Sequence, residues 1–348
     1  MLEAGDAERM VDVRPAKDMI ARLLHRFEML MARRRVRQAL VAEDLRAFED
    51  AYARHYIPGE SKPPEVGRPY LLRPRRLKPL GGVVLTHGFL AAPLETRQLG
   101  EALCRAGYAV YGVRLAGHGT APEDIAARPW QEWYGAVERG VAILETLSDK
   151  VALCGFSAGG CLSLIGAARM PERLRAVISI CAPLYVRNRG IHFVPSILGF
   201  NSLLHRVGAD RFRWEYSENH PENLHINYLR NPLTAANELV NVMAESERVL
   251  ETISIPALVV QASQDPTVHP DSGPDIFGRL GSPHKELTVF ERGRHGIING
   301  AGSEEVSSRV AQFLERALLL PRELKPLPVV TEQPAVTEAE ETRAISAV

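Results

Sequence analysis

The pentapeptide Gly155-Phe156-Ser157-Ala158-Gly159 follows directly on the apolar run Val151-Ala152-Leu153-Cys154, and helical patterning begins at Gly160. A serine placed between a strand and a helix in this way sits on a tight turn, with its hydroxyl raised above the end of a sheet. The glycines on either side have a steric role, because so sharp a turn presses backbone against backbone and leaves no room for side chains. The pentapeptide alone is a common pattern. Its position between a strand and a helix, and the partners that follow it in the chain, give it weight.

From Gly81 onward, short β-rich runs alternate with helical patterns, which predicts a mostly parallel sheet with helices on both faces. The expected strands are Val83 to Thr86, Tyr108 to Val113, Val151 to Phe156, Ala176 to Cys181, Ala257 to Gln261 and Glu286 to Phe290. Between them, Trp130, Trp133, Val137, Val141 and Leu144 keep helical spacing. The interval between Cys181 and Ile255, roughly seventy residues, is far longer than an ordinary connection in such a fold and is expected to hold a cap.

Breaking an ester by nucleophilic catalysis takes a nucleophile, a base, an acid that orients the base, and donors for an oxyanion. Ser157 is the candidate nucleophile. Asp265 stands just past the run Val259-Val260-Gln261-Ala262, and His295 follows the last expected strand. The chain order Ser, Asp, His is the one such a triad takes on an open α/β sheet, with all three groups beyond the carboxyl ends of strands. The oxyanion donors are expected to be the backbone N–H of Ala158 and that of Phe89, in the His87-Gly88-Phe89 turn after the first core strand. Asp271 is the rival acid and His269 the rival base. His87 and His118 are expected to hydrogen-bond their own turns rather than titrate.

Over all 348 residues, 42 Lys and Arg balance 42 Asp and Glu, so the chain as a whole gives no electrostatic reason to expect a nucleic-acid partner. Cys104, Cys154, Cys161 and Cys181 show neither metal-ligand nor disulfide spacing and read as buried apolar groups. The first residues lack the pattern of a secretory signal and no apolar run reaches membrane-spanning length, so a cytoplasmic location is the expectation. Residues 15–55 carry apolar side chains at helical spacing (Met19, Leu23, Phe27, Leu30, Leu45 and Phe48 among them) with Arg33, Arg34, Arg35 and Arg37 in the middle. Two readings are open: a helix docked on the body or on a second copy, and a basic amphipathic helix peripheral to a membrane.

The stretch from Gly81 to about Leu320 resembles the α/β-hydrolase superfamily, in particular its bacterial carboxylesterases and monoacylglycerol lipases. The resemblance rests on His87-Gly88-Phe89, Arg114-Leu115-Ala116-Gly117-His118-Gly119-Thr120, Gly155 to Gly159, Cys181-Ala182-Pro183-Leu184-Tyr185, and Gln261 to Pro270 with Asp265. It implies an α/β-hydrolase fold with a helical cap insertion, Ser157, Asp265 and His295 as triad, and Phe89 and Ala158 at the oxyanion hole. The expected activity is that of a serine carboxylester hydrolase on short- to medium-chain acyl esters, by two-step acyl transfer through an acyl-enzyme that needs no metal or organic cofactor. A thioesterase or acyltransferase with the same triad, or an inactive hydrolase-fold scaffold whose N-terminal helix binds a membrane or partner, are the alternatives. The expected organisation is a helical extension and Pro-rich linker over 1–80, core over 81–185, cap over 186–254, core again over 255–320, and a disordered tail over 321–348. Within the cap, Phe193, Val194, Ile197, Leu198, Phe200, Leu203 and Leu204 either line an acyl pocket or dock the cap on the core.

Overall fold

The computed structural model describes residues 14–320; the expected tail over 321–348 lies outside them. The strands are β1 (Tyr70–Leu72), β2 (Gly82–Thr86), β3 (Ala109–Gly112), β4 (Val151–Phe156), β5 (Leu174–Ile180), β6 (Tyr216–Glu218), β7 (Arg230–Pro232), β8 (Ala257–Ala262) and β9 (Lys285–Phe290). Seven of them form one sheet in the order β1-β3-β2-β4-β5-β8-β9, parallel except for β1. The helices are α1 (Arg14–His55), α2 (Pro64–Gly67), α3 (Arg97–Arg105), α4 (Pro122–Ala126), α5 (Trp130–Glu145), α6 (Ala158–Arg169), α7 (Val194–Arg206), α8 (Leu233–Val249), α9 (Ser272–Arg279) and α10 (Ser303–Ala317).

Burial on both faces makes the central strands continuously apolar. Val84, Leu153, Val177 and Val259 point toward the layer that contains α5, α6 and α8. Val83, Leu85, Ala152, Ile178 and Leu258 point the other way, to Leu99 and Leu103 of α3 and Phe313 and Leu314 of α10. From β2 the chain moves to β3 on one side and later to β4 on the other, so the crevice between the ends of β2 and β4 is a topological switch point, where ligands bind in open α/β sheets.

Two expectations need correction. The Pro-rich passage over 58–79 is built into the body rather than being an extended linker. It contains α2, where Val66 and Gly67 are buried, and β1, which pairs antiparallel with β3. Glu60 accepts two hydrogen bonds from Arg230, which ties the passage to the cap. The expected cap boundary at 254 is also too late. Helix α8 packs on α6, and its Leu239, Val242, Met243 and Val249 belong to the main core, because α6 has an apolar face that α8 must cover. Besides its helices, the cap holds β6 and β7, which form a small antiparallel ladder.

The C-terminal half of α1 docks on α5. Arg139 pairs with Glu43 and Asp44, Asp44 accepts from the Tyr111 hydroxyl at 2.6 Å, and Arg37 donates to Thr146. Phe48, 1% exposed, packs beside Gly67 and under the Arg114 guanidinium. Loop 114–120 joins this helix to the rest. A Cβ on Gly119 would overlap the Gly67 backbone, Thr120 Oγ1 donates to the buried Asp124, and the Tyr228 hydroxyl of the cap accepts from Thr120 N and donates to Gly117 O. No helix among the described residues is long and apolar enough to cross a membrane. Replacing Phe48 by Ala is expected to cost about 3 kcal/mol of stability in urea unfolding, since it leaves a cavity between α1, α2 and the loop. An unchanged midpoint would mean that α1 is not held by this contact.

Candidate active site

Ser157 has φ 55° and ψ −123°, a left-handed conformation that costs a non-glycine residue on the order of 1–3 kcal/mol and survives only where its surroundings enforce it. The enforcement is visible. A Cβ on Gly155 would overlap the Gly159 carbonyl, and one on Gly159 would overlap the carbonyl oxygens of Thr86 and His87. Ser157 N donates to Ile180 O at 2.8 Å and its carbonyl accepts from Gly160 N at 2.8 Å. The side chain is left partly exposed at the start of α6, on the wall of a cavity.

Asp265 is fully buried at the end of β8. Its Oδ1 accepts from Thr267 N at 2.8 Å and Val268 N at 2.9 Å, and its Oδ2 accepts from His295 Nδ1 at 2.6 Å. Burial alone would raise this carboxyl, but the hydrogen bond and charge of His295, with the two N–H groups, hold it below its ordinary value. Arg187 donates to the Asp265 carbonyl at 2.7 Å and so fixes the loop from outside. With Nδ1 carrying its proton toward Asp265, the neutral imidazole presents Nε2 as an acceptor. Nε2 is buried and has no hydrogen-bond partner, so His295 and Ser157 line one cavity without being hydrogen-bonded to each other in this structure. The rivals lie apart from this arrangement: His269 faces Asp271 at 3.5 Å on the exposed surface.

Glu222, in the cap, gives no signal in the sequence. Its carboxylate accepts from His295 N at 2.7 Å and Gly296 N at 3.0 Å, and Arg294 lies 3.8 Å from it. The loop Gly293-Arg294-His295-Gly296 is thus held by an acid 73 positions upstream. Beneath the imidazole, the Phe156 ring packs at 4.8 Å between centroids.

On the opposite wall, Phe89 follows β2, and its ring lies against His118 and Trp133. His87 donates from Nδ1 to Gly88 O and accepts at Nε2 from Leu115 N, while His118 Nδ1 bonds Ala116 O. Burial lowers His87 to about 4 and His118 well below its ordinary value, so both rings are neutral and serve the turns around them, as their sequence context suggested. Neither Phe89 N–H nor Ala158 N–H donates to another of the described residues. The Ala158 amide lies at the first turn of α6, where unpaired N–H groups and the helix dipole favour negative charge.

The cavity has a volume of about 650 Å³. Its lining includes apolar side chains, Val194, Ile197, Leu233 and Leu239 among them, and amides such as Asn219 and Asn227. Of the seven apolar cap residues singled out in the sequence, Val194 and Ile197 line the cavity, Leu198 packs against the cluster of Val194 with Leu233 and Ala236 of α8, Leu204 is half-buried, and Phe193, Phe200 and Leu203 are exposed. Among the described residues, Cys181, Asp265 and His295 are the one group with ligand atoms close enough for a metal ion. The Cys181 thiol is pushed well above its ordinary value by burial and by Asp265, so it stays protonated, and the other two are committed to each other.

A parallel sheet that raises a strained serine at its switch point, with an aspartate and a histidine on the ends of two later strands, is the layout of an α/β-hydrolase. The chain belongs to the family Hydrolase_4, described as serine aminopeptidase, S33, which matches residues 78–301. It is 29% identical to the thermostable monoacylglycerol lipase of Bacillus sp. (strain H-257) over 62% of this chain and 82% of that protein. It is 25% identical to a carboxylesterase of Bacillus subtilis (strain 168) over 67% of this chain and 92% of the relative. Among solved structures, the monoacylglycerol lipase of Paleococcus ferrophilus shares the fold, with a TM-score of 0.59 and 20% identity over 72% of this chain and 98% of that one.

Glu95 is a second buried acid that reading the sequence did not find. It lines the cavity and accepts from Gly88 N at 2.7 Å. Burial raises its carboxyl to about 7, against the opposing pull of the Gly88 N–H and His295. The folded chain therefore keeps this proton to higher pH than the unfolded chain, and the contribution to stability present below pH 4.5 is lost as pH rises to about 7. Glu95→Gln keeps an acceptor for Gly88 and removes the titration. The variant is expected to gain stability over the parent between pH 5 and pH 8, by on the order of 3 kcal/mol at most. A difference that stays constant across that range would show that Glu95 does not titrate there.

Proposed function

We propose that this carboxylic ester hydrolase works through Ser157, with His295 as general base and acid and Asp265 as the group that orients it. His295 Nε2 takes the Ser157 proton as Oγ forms a bond to the acyl carbon. Charge develops on the carbonyl oxygen, where the N–H groups of Phe89 and Ala158 would receive it. Donors of this kind contribute about 2.7–4 kcal/mol each. The bond to the leaving alcohol then breaks, the alcohol takes the proton from His295, and water repeats the sequence on the acyl-enzyme. The observation that supports this reading most directly is the 2.6 Å bond between Asp265 and His295, which leaves an unpartnered Nε2 in the same cavity as Ser157.

A lining that combines apolar Val194, Ile197 and Leu239 with the amides of Asn219 and Asn227 suits an ester with an apolar acyl chain and a polar leaving group. Short- to medium-chain esters, including monoacylglycerols, fit this combination.

A fluorophosphonate probe is expected to label the parent protein and not Ser157→Ala, and labelling that persists in the variant would remove Ser157 from the mechanism. Asp265→Asn is expected to lower kcat by about 10³–10⁴-fold with little change in KM. Across a series of acyl lengths, kcat/KM is expected to peak at medium chains, and a maximum at acetyl esters would overturn the assignment of the apolar wall.

A further inference from the structure

Helix α1 begins well before the segment matched by the family, and its two halves differ in character. Residues 14–37 hold eight Lys and Arg against two Asp and Glu, whereas residues 38–55 hold two against four. The acidic half docks on α5, as described above. The basic half continues past the body: Arg33 reaches Asp149 and Arg37 reaches Thr146, both just beyond the end of α5. Further out, Leu24, Phe27 and Leu30 are 59%, 62% and 65% exposed and recur at helical spacing.

A second element carries the same chemistry. The loop between β1 and β2 reads Arg73-Pro74-Arg75-Arg76-Leu77-Lys78, with four cations, no acid and a fully exposed Leu77. It leaves the sheet beside the helix, since Leu71 of β1 is paired with Tyr111, whose hydroxyl binds Asp44 of α1, and the positive charges of Arg73 and Arg34 add to burial in depressing Arg37. Arg34, Arg35, Arg73, Arg75, Arg76 and Lys78 form no ion pair with a described carboxylate. The two segments therefore make one basic surface with exposed leucine and phenylalanine side chains. It lies at the amino-terminal ends of the parallel strands, opposite Ser157. The chain is formally neutral, so this surface is offset by an excess of acid elsewhere.

We infer that the basic half of α1 and the loop at 73–78 dock on the surface of an anionic lipid bilayer. Cations clustered on two elements attract anionic headgroups, and Leu24, Phe27, Leu30 and Leu77 provide apolar groups that can enter the acyl boundary. A second copy of this chain would bring like charge against like charge. A nucleic acid would use the arginines but not the exposed apolar stripe. The inference does not depend on the catalytic assignment, because the surface is at the other end of the sheet.

The test is flotation of the full chain with phosphatidylcholine vesicles, with and without phosphatidylglycerol. Binding is expected only with the anionic lipid and is expected to weaken with added salt. Arg75→Gln with Arg76→Gln should bind on the order of 10- to 30-fold more weakly. Phe27→Glu with Leu30→Glu should abolish flotation while leaving hydrolysis of a water-soluble ester and the urea midpoint unchanged, since both side chains are exposed. Absence of flotation, or equal flotation on neutral vesicles, would overturn the inference. So would a dimer in sedimentation velocity that Phe27→Glu dissociates, or retention on an RNA homopolymer that this substitution leaves intact.

Discussion

The close approach of the β4–α6 turn to the end of β2 is the contact from which the geometry of the site follows. Glycine at 155 and 159 lets the backbone of the turn touch its own helix and the carbonyls of Thr86 and His87. With that space closed, Ser157 has no relaxed conformation available, and its side chain is directed into the cavity. The same contact sets the distance between the serine turn and the Phe89 loop, because Thr86 and Gly155 are paired in the sheet. One steric constraint thus fixes both the hydroxyl and the wall facing it.

Loop 114–120 carries out a structural task of equal reach. Its Gly119 admits α2 and its Gly117 admits α4, its Thr120 holds the buried Asp124, and Tyr228 pins it to the cap. Asp124 also takes a double hydrogen bond from Arg128 and lies 3.5 Å from His55 at the end of α1. None of residues 114–120 lines the cavity. The motif that most resembled a family signature acts by joining the N-terminal helix, the core and the cap, behind the aromatic cluster that seats Phe89.

Strands buried on both faces announce themselves as apolar runs, so the six expected core strands lie within two residues of the observed ones. Strand β1 escaped notice because three residues between prolines have no periodicity to read; pairing with β3 makes it a strand. Helix α8 looked like part of the cap because its amphipathic pattern does not say which surface it covers. In the candidate site, Ser157, Asp265 and His295 could be nominated because each follows a strand, and the sheet brings strand ends together. Glu222 and Glu95 could not. Each is defined by a backbone N–H it accepts, and those contacts depend on the fold of the cap and of the loop after β2.

The two hydrogen bonds that Glu222 accepts from the loop of His295 make the roof of the cavity and the imidazole mechanically continuous. Lifting that part of the cap would strip a carboxylate from two amides and release Arg294 with it. Access and alignment are therefore not independent variables in this molecule: whatever widens the entrance here also slackens the ring whose free nitrogen faces the serine's chamber.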